Sequence, residues 1–83
     1  MKQIIYFYSD SCIPCKQTTP LIEELSKEFV VDLKKINASE NMDKAVKYQV
    51  MSLPTVIFLE DGKEIAREIG TVSKDKLKRC LLD

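Results

Sequence analysis

At 83 residues the chain has room for one hydrophobic core, so the expectation is a single domain over residues 1–83. Apolar residues make up 45% and charged residues 31%, a balance that excludes disordered and membrane-spanning classes. Lys plus Arg and Asp plus Glu each number 13, so no net field draws phosphates, and neither nucleic acid nor an anionic membrane is expected as a partner.

Ile4-Ile5-Tyr6-Phe7-Tyr8 is an apolar, aromatic-rich run that predicts a central strand over Gln3 to Tyr8, covered on both faces. The run is too short for the apolar region of a signal peptide or for a membrane span, so export is not expected. The strand stops at Ser9-Asp10-Ser11. Beyond Pro14, Leu21, Ile22, Leu25 and Phe29 recur at spacings of three and four, which predicts a helix running to about Glu28, with a bend at Pro20. Val30 to Ile36 reads as a second strand. Strand, helix and strand together make a right-handed unit with parallel strands.

Asn41 to Gln49 carries Met42, Ala45 and Val46 on one face and predicts a short second helix, with a start anywhere from Ser39 onward. Thr55 to Leu59 and Lys63 to Ile69 bracket Glu60-Asp61-Gly62, and Asp-Gly between two strand-like runs signals a hairpin. Ser73 suits the cap of a last helix whose inner face is Leu77, Cys80 and Leu81. The expected fold class is therefore α/β in the order βαβαββα, a four-stranded mixed sheet flanked by three helices.

Three cysteines are an odd number and only two lie close together, which argues against a stapled secreted scaffold. A reducing cytoplasm is the expected compartment, where a close pair means metal binding or redox catalysis. Cys12-Ile13-Pro14-Cys15 stands where strand hands over to helix. A helix starting at Cys12 or Ile13 aims its free amides and positive end at the Cys12 sulfur, which favours thiolate and marks Cys12 as the nucleophile. Pro14 lies in the first turn, where its missing amide hydrogen costs nothing. Cys15 shares the helix face of Cys12 and is placed to attack a mixed disulfide formed there, so it is the resolving thiol.

A zinc or iron-sulfur site would need two further ligands. The sequence has no histidine, and its remaining cysteine, Cys80, lies at a core-facing position of the last helix. No metal and no cofactor beyond the Cys12–Cys15 redox pair is expected.

These features together resemble the thioredoxin family. Cys12-Ile13-Pro14-Cys15-Lys16 is similar to its active-site loop, Pro20 to its helix proline, and Ser52-Leu53-Pro54-Thr55 to the segment bearing its cis-proline. Gly62 and Gly70 are also in register. The resemblance implies a minimal thioredoxin-like fold and an oxidoreductase that reduces protein disulfides as a monomer, recharged by a reductase or by glutathione. It implies a cis Pro54 opposite the Cys pair and a substrate surface drawn from Ile13, Pro14, Leu53, Pro54, Gly70 and Thr71, with Met51 and Val72 as further rim candidates. Lys35 matches a family lysine and is a candidate to stabilise a thiolate, a solvated surface lysine being the alternative.

Four departures stand beside the matches. The first strand and helix of full-length thioredoxins are missing, Ser11 replaces the usual tryptophan, Ile13 replaces glycine, and Tyr6 occupies the place of the buried carboxylate that assists the resolving cysteine. Tyrosine is no base near neutral pH, so the proton acceptor for Cys15 is left unidentified. Asp10 is close to Cys12, where a carboxylate would oppose thiolate formation, and is read instead as a helix cap or a solvated carboxylate. A glutathione-dependent, glutaredoxin-like enzyme is the alternative function, although Pro14 and Gly70-Thr71 differ from the aromatic residue and Gly-Gly pair of glutaredoxins. A noncatalytic or metal-bridged binding module is a further alternative.

Overall fold

The computed structural model describes residues 1–71 and 73–82. Its elements are β1 (Lys2–Tyr8), α1 (Ile13–Glu28), β2 (Asp32–Asn37), α2 (Met42–Lys47), β3 (Thr55–Glu60), β4 (Lys63–Ile69) and α3 (Lys74–Leu82). The order is the expected βαβαββα. The sheet runs β2-β1-β3-β4, with β1 and β2 parallel and the other two pairings antiparallel, so it is mixed as read from the sequence.

Strand β1 is buried on both faces because both of its neighbours are strands and both of its faces carry helices. Ile4 and Tyr6 join Val56 and Phe58 of β3 on one face, where Ile22 and Leu25 of α1 and Leu77 and Leu81 of α3 cover them. Ile5, Phe7, Ile36, Ile57 and Leu59 form the core of the other face, with Ala45 and Tyr48 packed against it. Alternation along β1 thus divides its side chains between two apolar layers, which is why its sequence is an unbroken apolar run.

The Asp-Gly hairpin is realised, with Asp61 at φ 52° and Gly62 at φ 85° between β3 and β4. Two successive positive φ values match the right-handed twist of the flanking strands, and glycine takes the second at no steric cost. At the last helix, Ser73 Oγ accepts the Lys76 amide at 3.2 Å, as a capping serine should. Helix α1 continues through Pro20.

Two expectations need correction. The second strand starts at Asp32, not at Val30, because Val30 takes a left-handed φ of 52° in the turn that leaves α1. The second helix is shorter than Asn41 to Gln49, and the face carrying Met42, Ala45 and Val46 is buried only in part. Ala45 packs on the core, but Met42 and Val46 are exposed. The helix is fixed from its far end instead: Arg67 of β4 donates from Nη2 to the Tyr48 carbonyl at 2.7 Å and from Nη1 to the Gln49 carbonyl at 3.2 Å.

Ile22 is fully buried between α1 and the sheet, whereas Val46 faces water. Ile22→Ala should lower the unfolding free energy by about 2–5 kcal/mol, and Val46→Ala should change it by no more than about 0.5 kcal/mol. Urea unfolding measures both.

Candidate active site

Register brings the sequence-read site together. Phe7 of β1 pairs with Thr55 at the start of β3, and Thr55 pairs with Ile69 at the end of β4. The strand-to-helix loop after Tyr8, the Leu53-Pro54 segment and Gly70-Thr71 therefore leave the sheet at one end. The Gly70 amide donates to the Pro54 carbonyl at 2.8 Å, and Thr55 Oγ1 to the Ser52 carbonyl at 2.6 Å, which ties these segments to each other. The Leu53–Pro54 peptide is cis, as the resemblance implied.

Cys12 and Cys15 are joined as a disulfide, with Cα atoms 5.3 Å apart. Cys12 is the N-cap of α1. Its extended backbone (φ −84°, ψ 106°) turns Sγ back over the first turn, where it accepts the Cys15 amide at 3.2 Å. The Cys12 amide closes the preceding turn on the Ser9 carbonyl at 3.3 Å. The two sulfur-bearing residues differ in access: Cys12 is half-buried, while Cys15 is 2% exposed.

Beneath Cys15 lies a hydrogen-bonded set that the sequence reading missed. Thr19 Oγ1 donates to the Cys15 carbonyl at 2.8 Å, and the Tyr6 hydroxyl lies 2.8 Å from Thr19 Oγ1 and donates to the same carbonyl at 3.2 Å. The signal available was the four-residue spacing from Cys15 to Thr19, which puts both on one helix face. Burial pushes the Tyr6 phenol above its ordinary value, with the Thr19 hydrogen bond opposing that shift. Tyr6 is therefore a neutral, satisfied core residue.

Lys35 stands beside Tyr6 in the parallel register and forms an ion pair with Glu23 of α1. Glu23 is held below the usual carboxylate range chiefly by its hydrogen bond with Lys35, and Lys35 is raised by the same bond. Both side chains are 42% exposed, so the pair is screened by solvent. Asp10 does not cap α1, since Cys12 holds that position. It is exposed and accepts a 3.5 Å hydrogen bond from Asn37 Nδ2 at the end of β2. Ile13 and Met51 are exposed, at 73% and 96%, and Thr71 is exposed as well, while Leu53 is half-buried and Pro54 buried. Val72 lies outside the described residues.

The family model that matches is thioredoxin, over residues 1–83. The chain belongs to the thioredoxin family. It is 36% identical over 81 residues to a thioredoxin of Staphylococcus aureus, a match covering 95% of this chain and 78% of that one. The thioredoxin of Fasciola hepatica superposes with a TM-score of 0.86 at 34% identity, covering 94% of this chain and 75% of the other. Mitochondrial thioredoxin 3 of Saccharomyces cerevisiae, in its oxidised form, gives 0.85 at 30% identity, covering 94% and 74%. As in its relatives, the chain is a thiol-disulfide oxidoreductase that reduces protein disulfides through a Cys-x-x-Cys dithiol, here Cys12 and Cys15. This reading is favoured over the glutaredoxin-like and noncatalytic alternatives. Among the described residues, no helix is long and apolar enough to cross a membrane.

Because the folded state raises the Tyr6 pKa, the unfolded chain releases that proton first as pH rises. The stability that Tyr6 contributes is complete below its unfolded value of about 10 and is lost as pH climbs through the folded value. The stability advantage of the wild type over Tyr6→Phe should therefore hold constant from neutral pH to about 10 and shrink above it. Urea unfolding of both proteins across that range measures the difference.

Proposed function

We propose that Cys12 attacks the substrate disulfide and that Cys15 resolves the resulting mixed disulfide. The observation that carries this division is the difference in access: the half-buried Cys12 is open to an incoming disulfide, and the buried Cys15 is not. Once the pair is reduced, the Cys15 amide that points at Cys12 Sγ and the positive end of α1 favour a Cys12 thiolate. Attack forms a Cys12–substrate disulfide and releases one substrate thiol. Cys15 then attacks Cys12 Sγ, forms the intramolecular disulfide and frees the second.

The substrate segment is held in extended form along Leu53-Pro54, with Ile13, Pro14, Gly70 and Thr71 as its rim. Support comes from the placement of all six at one end of the sheet and from the exposure of Ile13 and Thr71. Lys35 plays no direct part in this reading, since its cation is engaged by Glu23. The enzyme works without a further cofactor as a monomer in a reducing cytoplasm, and a reductase or glutathione recharges it. Its neutral composition supports partners chosen by apolar and backbone contact over charge.

Cys12→Ser should abolish reduction of a protein disulfide. Cys15→Ser should accumulate a one-to-one mixed disulfide with the substrate, released by added thiol and visible on nonreducing electrophoresis and by mass spectrometry. Trapping on Cys15 in a Cys12→Ser protein would reverse the assignment. The potential of the pair in defined glutathione buffers should lie at or below about −220 mV, the upper edge of the cytosolic poise, if the net direction is reduction.

A further inference from the structure

The division of labour between Cys12 and Cys15 leaves one proton without a destination. In the mixed disulfide Cys15 carries a thiol, and a thiol with an ordinary pKa of about 8.5 is mostly protonated near neutral pH. It must lose that proton to attack. The residue beneath it, Tyr6, keeps its hydroxyl in the hydrogen bonds to Thr19 and to the Cys15 carbonyl and is held neutral by burial. The Glu23 carboxylate behind Tyr6 is taken by Lys35.

Cys15 is only 2% exposed, yet it forms part of the lining of a surface groove. The groove is walled by Tyr8, Asp10, Lys16 and Thr19. Asp10 is the one carboxylate in that lining among the described residues. Its side chain is exposed to solvent at the groove's edge, and the bond from Asn37, a residue 9% exposed at the end of β2, orients it. Lys16 adds a cation to the same groove, which favours a thiolate by charge but takes no proton. Tyr8 is stacked on Tyr6, with ring centroids 5.7 Å apart.

We propose that Asp10, held by Asn37, is the acid-base residue of the resolving step and exchanges a proton with Cys15 through water in this groove. The proton leaves Cys15 Sγ for the Asp10 carboxylate. The Cys15 thiolate attacks Cys12 Sγ, the Cys15–Cys12 bond forms, and the bond between Cys12 and the substrate sulfur breaks. The departing substrate thiolate takes the proton back from Asp10. Two electrons pass from the dithiol to the substrate, and the carboxylate is regenerated. A positioned base that reaches the proton directly or through one water contributes typically about 100-fold or more. Because Asp10 is itself exposed, it re-equilibrates with bulk solvent.

The proposal rests on Cys12 being the attacking sulfur, and one experiment separates the two. Reduced protein is mixed in a stopped-flow instrument with a symmetrical nitrophenyl disulfide whose released thiolate is coloured. Cys12 attack gives a first, reagent-dependent release; resolution by Cys15 gives a second, first-order release. The coloured thiolate needs no proton to leave, so the second phase isolates proton removal from Cys15. Asp10→Asn keeps an oxygen for Asn37 and should slow the second phase by about tenfold or more near neutral pH. The loss should close as pH rises and hydroxide replaces the carboxylate. Asp10→Glu should restore most of the rate, and Asn37→Ala should slow it by a smaller factor. Second phases that agree within about twofold in wild type and Asp10→Asn from pH 6 to pH 9 would overturn the role of Asp10. Loss of the first phase in the wild type would instead overturn the assignment of Cys12, and a normal first phase in each variant shows that its site is folded.

Discussion

The position of β1 at the centre of the sheet is the constraint on which the site depends. Its edges pair with β2 and β3 and its faces lie under helices, so a slip by one residue would exchange Ile4 and Tyr6 with Ile5 and Phe7 between two differently shaped cores. Register fixed in this way fixes where β1 ends. Everything functional is counted from that end: four residues of turn after Tyr8 place Cys12 as the cap of α1, and the antiparallel pairing of β3 and β4 returns Pro54 and Gly70 to the same edge. Chemistry at the surface is positioned by packing several residues away.

The same packing sets the two cysteines apart. A helix end needs an acceptor for its first free amides, and Cys12 supplies it with sulfur in place of the usual oxygen. The next turn carries Cys15 down against β1, where Tyr6 and Thr19 bind its carbonyl. The threonines just before Pro20 bond back to carbonyls four residues earlier, Thr18 to Pro14 and Thr19 to Cys15, while Pro20, without an amide hydrogen, donates nothing to the Lys16 carbonyl. Tyrosine at position 6 fills the volume under Cys15 and satisfies its own hydroxyl. A buried carboxylate there would carry a desolvation cost, and a tyrosine avoids it at the loss of a nearby base.

Much of this was legible because it depends on local pattern. The run from Ile4 to Tyr8 admitted one reading, the spacing of Ile22 and Leu25 another, and Asp61-Gly62 a third; all three were realised. The position of the Cys pair at a strand-to-helix junction followed from those readings alone. What stayed hidden depends on which residues meet across the sheet. Met42 and Val46 have helical spacing, yet α2 is anchored by Arg67 from β4, and no period in the sequence shows a guanidinium reaching the carbonyls of Tyr48 and Gln49. The pairing of Lys35 with Glu23 and of Asn37 with Asp10 likewise needs the parallel register of β1 and β2 before it can be seen.

The departures from the family pattern then form one consistent set. A tryptophan beside the first cysteine and a glycine within the loop are replaced by Ser11 and by the largely exposed Ile13, which moves apolar surface from the flank of the loop to its tip. Met51, the most exposed of the large apolar residues among those described, stands two residues before Leu53. Methionine and isoleucine contribute contact area without fixed polar demands, which suits the backbone pairing and adaptable apolar packing of the proposed substrate surface. On the proposed reading a surface of that kind accommodates many sequences around a substrate disulfide. In the proposed mechanism selectivity then passes to the chemistry itself, to which disulfides a Cys12 thiolate reaches and how quickly Cys15 releases them.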